Sequence, residues 1–219
     1  MMVVPPLINR IFKRKITIHT IGDSHAKIPW ENIRIKNFQI NTNRLGPRLM
    51  FTVGENPDII SLRNIKIKKK DIFIFCFGEI DCRCHVWKHK DRGYKNVIDS
   101  LVNNYMSSIM LSTKKVSKTK VFIHSVVPAI RKEQHLHNEV PELPFLGSDK
   151  MRKSYVLYMN RVLKNSCEIN GFNFFDIYDL YTDSDGYLDY ELSDKNVHIG
   201  NPKYIENYIT NTIIPLIKK

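Results

Sequence analysis

Three short polar segments of this 219-residue chain hold side chains that can act together on an acyl group. They are Gly22-Asp23-Ser24-His25, Gly78-Glu79-Ile80-Asp81, and the stretch from Asp194 to His198. A serine hydroxyl is a weak nucleophile near neutral pH until a neighbouring base takes its proton. His198 can take that proton and return it to a leaving group. Asp194 can hold the imidazole in the required tautomer and stabilise its cation. Gly22 is expected to turn the backbone sharply, leaving the Ser24 N–H free to face a developing oxyanion. A Gly-Asp-Ser triplet alone is weak, because it occurs by chance in many chains. The three segments in this order, each beyond a predicted strand, are more specific.

Hydrophobic periodicity indicates the elements that must position them. Residues 15–21 (KITIHTI), 35–40, 71–77 (DIFIFCF), 120–127 (KVFIHSVV) and 172–180 (FNFFDIYDL) read as five strands. The third is a continuous apolar run, as in a central strand covered on both faces. Residues 94–111 carry Val97, Ile98, Leu101, Val102, Tyr105 and Ile109 at helical spacing. Ser148 is placed to cap a helix running through Asn170, with Gly171 just past its end. Pro202 suits the first turn of a last helix. Strands alternating with helices predict a three-layer α/β/α sandwich with a five-stranded parallel sheet, a single domain over residues 1–219. With strands in the order 2-1-3-4-5, the first and third are neighbours where the order reverses. Ligands of such sheets bind there, outside the carboxyl ends of the strands. Residues 131–147 form the longest loop; its His135 and His137 are read as solvated, with substrate contact as the alternative.

A composition of 42% hydrophobic and 26% charged residues is that of a globular chain and excludes a disordered one. No apolar run approaches the ~18 residues of a membrane span. The basic cluster near the N-terminus follows a short apolar stretch broken by Pro5 and Pro6, the reverse of a secretory signal. A cytoplasmic location is therefore expected, with Cys76, Cys82, Cys84 and Cys167 as free thiols. Lys plus Arg number 34 against 22 Asp plus Glu, a net charge of +12 that attracts polyanions or anionic small molecules. An AT-rich genome would itself inflate lysine, so nucleic acid is the weaker reading of that charge.

GDSH, a glycine after the second strand, a G-x-x-D segment and a late Asp…His resemble the blocks of the SGNH (GDSL-type) hydrolase superfamily over residues 15–200. The string FGEIDCRCH, residues 77–85, is similar to a subgroup found in glycan gene clusters and large DNA viruses. The resemblance implies a flavodoxin-like fold, with Ser24 as nucleophile and Asp194 and His198 completing a triad. It implies an oxyanion hole from the N–H groups of Ser24 and Gly46; Asp23, Asp81 and Arg83 are expected beside them in the oxyanion and substrate-binding set. It implies no metal or organic cofactor. The activity implied is that of an esterase removing a small O-acyl group, acetyl on a glycan or sugar nucleotide, through an acyl-enzyme. An O-acyltransferase with the same triad, and a non-catalytic glycan- or nucleic-acid-binding module, are the alternatives.

Two positions depart from the family pattern. Ile80 stands where the family has asparagine, and losing an oxyanion donor typically costs ~2.7–4 kcal/mol of barrier. Arg83 is expected to replace it, at the oxyanion or at an anionic part of the substrate. Asp194 and His198 are one residue farther apart than in the family's D-x-x-H. A helical turn is expected to absorb the extra residue, because i and i+4 share a face; Asp189 is the rival acid. Cys82, Cys84, His85 and His89 suggest zinc, but no second cysteine pair exists. Residues 183–186 suggest a calcium loop, but Tyr181 and Leu192 would occupy its first and twelfth positions. His19 and His124 lie within predicted strands and are read as packing residues.

Overall fold

β-Branched and aromatic runs form five strands: β1 (Ile16–Gly22), β2 (Phe38–Arg44), β3 (Ile72–Cys76), β4 (Val121–His124) and β5 (Asn173–Phe175). The structure is a computed structural model that describes residues 15–135 and 141–218. The strands pair in the order β2-β1-β3-β4-β5, every pair parallel. Among the described residues six α-helices accompany them: α1 (Met50–Glu55), α2 (Val86–Lys88), α3 (Tyr94–Ser112), α4 (Asp149–Asn170), α5 (Lys203–Tyr208) and α6 (Ile214–Lys218).

β3 shows why its sequence is apolar throughout: all five of its residues are buried. Phe73 and Phe75 join Met50, Leu101, Tyr105 and Met159 in the core beneath α1, α3 and α4. Ile72 and Ile74 join Trp30, Phe175, Ile205 and Ile209 in a second core on the opposite face. Each such side chain contributes roughly 1.5–3 kcal/mol on burial, so the sheet is held from both sides. Ser148 caps α4 by accepting the Met151 N–H at 3.3 Å. At the other end Gly171, with φ of 72°, lets the Phe172 N–H return to the Cys167 carbonyl at 3.0 Å.

The edge strands differ from the sequence expectation. β2 occupies 38–44 rather than 35–40, its register running to the pair Gly22–Arg44. Its exposed face carries Gln39 and Asn41, so little apolar alternation marks its true limits. β5 ends at Phe175, not near residue 180. Beyond it the Asp176 and Ile177 N–H groups turn to the Tyr208 hydroxyl and Ser125 Oγ, at 3.3 and 3.4 Å, and a 3-10 turn follows over Tyr178–Tyr181. Among the described residues, no helix is long and apolar enough to cross a membrane. Cys76, Cys82, Cys84 and Cys167 are buried free thiols.

Candidate active site

β1 delivers Ser24 to the carboxyl edge of the sheet. Gly22 still belongs to the strand, and its φ is not positive. A Cβ there would stand 2.0 Å from the Cys76 carbonyl oxygen. The glycine therefore serves the close approach of β1 and β3, not the sharp turn expected of it. The turn is made by Asp23, whose Oδ1 accepts the His25 N–H at 2.8 Å and caps the 3-10 turn Ser24–Ala26. Because Asp23 is the cap, the Ser24 hydroxyl is left for other partners.

That hydroxyl lies 2.8 Å from His198 Nε2, and His198 Nδ1 lies 2.7 Å from Asp194 Oδ2. With its proton on Nδ1 the ring donates to Asp194, and Nε2 accepts from Ser24. Asp194 Oδ1 accepts the N–H groups of Asn196 and His198, at 2.9 and 3.2 Å. Burial works to raise the Asp194 carboxyl, but the His198 ring and these N–H groups outweigh it and hold it below its ordinary value. Asp189, the rival acid, instead accepts the Glu191 N–H at 2.9 Å and caps the turn Tyr190–Leu192.

The spacing of Asp194 and His198 is not absorbed by a helical turn. An antiparallel bridge between Ser193 and Ile199 closes the segment, and the Asp194 N–H donates to the His198 carbonyl at 3.0 Å. A helix would run that bond the other way, from the later N–H to the earlier carbonyl. Lys195 has φ of 64°, outside any right-handed helix. The segment is a hairpin-like loop whose left-handed residue takes up the extra length.

Ser24 and His198 open on a cavity of about 200 Å³, whose walls include Ile80, Glu79, Arg83, Arg44, Pro47, His135 and Phe145. It is smaller than the roughly 300–1,000 Å³ clefts of drug-sized ligands. Two larger grooves, of about 610 and about 620 Å³, lie along Leu62 and Leu111 and along Trp30 and Phe38. Neither contains Ser24, His198 or Asp194.

The remaining predicted residues take different parts. Arg83 lines the cavity, but its guanidinium is already engaged. Nε and one terminal nitrogen meet Glu79 at 2.7 and 3.2 Å, and the other terminal nitrogen donates to the Leu143 carbonyl. The geometry does not support Arg83 as the donor replacing the missing asparagine. Burial alone would raise the Glu79 carboxyl; Arg83 and the nearby His25 overcome that and hold it at about 2. Asp23 and Asp81, expected in the substrate-binding set, are fully buried, contact backbone and do not line the cavity. Asp81 accepts the N–H groups of Met50 and Phe51, at 2.7 and 3.1 Å, and so ties down the first turn of α1. Burial pushes its carboxyl up to about 7 against the pull of those bonds. Gly46 has φ of +80°, and a Cβ there would meet nothing within 4 Å. Conformation, not space, calls for glycine there. The preceding Leu45 N–H bonds the Gly22 carbonyl at 2.7 Å, tying this turn to the end of β1.

Further residues shape the site. The His25 ring lies beside His198, centroids 4.7 Å apart, with Glu79 3.8 Å from its Nε2. Burial, which outweighs the pull of Glu79, holds His25 below its ordinary value. His135 is half-buried in the wall: its Nε2 lies 2.6 Å from Asn196 Oδ1, and its ring packs on Phe145. His137 lies outside the described residues. The i,i+4 spacing of Glu79 and Arg83 is the one local signal among these; Arg44, His135 and Asn196 reach the cavity only through tertiary folding. Cys82, Cys84 and His85 face separate neighbours: Met159, the Ile80 carbonyl and the Phe51 ring. His19 and His124 stack on Phe73 and Phe175.

The architecture is the SGNH (GDSL-type) hydrolase fold. Similar solved structures include a platelet activating factor candidate from Streptococcus pneumonia, at 17% identity and TM-score 0.63, covering 95% of this chain and 87% of that one. A GDSL-like lipase from Bacteroides thetaiotaomicron matches at 11% identity and TM-score 0.58, over 94% and 88% of the two chains. A catalytic mutant of an acetylxylan esterase from Geobacillus stearothermophilus matches at 14% identity and TM-score 0.55, over 93% and 94%. No protein-family model matches the sequence, and no curated protein matches it significantly.

Proposed function

We propose that this chain is an ester hydrolase acting on a small O-acyl group through an acyl-enzyme on Ser24. The observation that carries the reading is the hydrogen-bonded series Asp194, His198, Ser24, open at its serine end to the cavity. Ser24 Oγ attacks the acyl carbon while its proton passes to His198 Nε2. The carbonyl oxygen takes the negative charge, facing the N–H groups of Ser24 and Gly46. The intermediate collapses as His198 gives the proton to the departing alcohol oxygen, and the acyl group stays on Ser24. A water molecule then gives a proton to His198 and its oxygen to the acyl carbon. The acid leaves as Ser24 regains its proton. Asp194 keeps its charge throughout and orients the ring.

The small cavity favours a short acyl chain. Acetyl on a carbohydrate is the reading supported by the acetylxylan esterase among the similar structures, whose catalytic mutants replace a serine and an aspartate. A serine-directed fluorophosphonate, read by intact mass, tests the nucleophile. One adduct is expected on the wild type and none on Ser24→Ala. Equal labelling of the two would overturn the assignment.

A further inference from the structure

Arg44 is the last residue of β2, in register with Gly22 at the end of β1 and two residues before Gly46. This places Arg44 in the wall of the cavity that holds Ser24 and His198. The other charged groups of that wall are already matched. Arg83 is paired with Glu79, and Asp194 behind His198 is paired with the imidazole. The Arg44 side chain is exposed and, among the described residues, makes no ion pair or hydrogen bond. Such a cation does nothing for the fold that a neutral side chain would not do. Its planar fork fits a carboxylate or phosphate bidentately. Among the described residues of the wall, the one charge left unpaired is therefore positive, and the +12 of the whole chain draws anions toward it.

We infer that the ester received here carries an anionic group, a carboxylate or a phosphate, on its alcohol portion, and that Arg44 holds that group at the cavity rim. This rests on the ester-hydrolase reading and adds the class of the alcohol. The cavity takes the acyl group, and the carrier lies outward past β2, where its charge meets the guanidinium without crossing the buried Glu79–Arg83 pair.

Three probes with the same acetyl group test it: an O-acetylated methyl glucoside, the corresponding glucuronide, and an O-acetylated glucose phosphate. The wild type should prefer one or both charged esters to the neutral one, and which of them distinguishes carboxylate from phosphate. Arg44→Ala should lower the ratio of kcat/KM for charged over neutral ester by about fivefold, the upper end for an exposed ion pair. The change should lie in KM. Arg44→Glu should invert the preference, and both variants should melt like the wild type. Calorimetric binding of the same probes to Ser24→Ala, with and without Arg44→Ala, reads the preference without turnover. Equal affinity of Ser24→Ala for neutral and charged probes, or a ratio unmoved by Arg44→Ala, would overturn the inference. A binding preference that depends on Arg44 in a protein that hydrolyses none of the esters would instead overturn the hydrolase reading and leave this one standing.

Discussion

Asp194 divides its two oxygens between the backbone of its own loop and the His198 ring. An asparagine can keep the backbone bonds through its carbonyl oxygen, but its NH2 then faces Nδ1 as a second donor. The ring answers by adopting the other tautomer, and Nε2 no longer accepts from Ser24. Asp194→Asn should therefore melt near the wild type and lose on the order of 10³–10⁴-fold in kcat. Asp189→Asn should stay near wild-type activity, because Asp189 caps a separate turn; a crippled Asp189→Asn beside an active Asp194→Asn would reverse the assignment. The sign of the pH dependence follows from the same geometry. A protonated imidazole cannot accept the serine proton, so activity should fall on acidification. Asp194, held below its ordinary value, stays ionised while it does.

At the scale of elements, the turn after β2 is fixed from the block after β3. Leu49, which precedes α1, offers no side-chain cap, and Asp81 supplies both acceptors from 30 residues away. Asp81→Ala leaves two backbone N–H groups without partners, one of them in the core. It should lower stability by about 2–4 kcal/mol in denaturant unfolding. It should also reduce ester hydrolysis, because the turn carrying Gly46 loses its anchor at α1. Unchanged stability and unchanged activity together would show that this tie does not position the turn. The loop of Asp194 and His198 teaches the complementary point. A four-residue spacing is compatible with a helical turn and with a closed hairpin, and the left-handed Lys195 decides for the second.

Across the molecule, an excess of positive charge surrounds a buried ion pair. Glu79 is held at about 2 in the folded chain against an ordinary value of 4.5. A carboxyl depressed by folding contributes stability that is fully present above its unfolded value and is lost as pH falls through the folded one. The Glu79–Arg83 contribution should therefore be complete above about pH 4.5 and disappear on the way to about pH 2. Chemical denaturation of wild type and Glu79→Gln at a series of acid pH values measures it. The stability gap between them should narrow steadily over that window. A constant gap would mean that folding does not depress this carboxyl.

The sequence by itself determined what repeats along the chain or depends on near neighbours. The five strands and their parallel arrangement were legible because β-branched and aromatic runs alternated with helical spacing, most clearly at 71–77 and 94–111. The cap at Ser148 and the left-handed Gly171 were legible because both are local bonds. Ser24, Asp194 and His198 stood out as a set because each follows a strand in a chain whose strand order could be guessed. The limits of β2 and β5 were not legible, since an edge strand has one neighbour and little apolar pattern to show where its ladder stops. Only the tertiary structure decided that Arg83 is engaged by Glu79, that Asp81 reaches α1, and that His135 and Arg44 line the same cavity as Ser24. Those outcomes depend on distances between residues far apart in the chain, and spacing along a sequence does not encode such distances until the sheet brings the strand ends together.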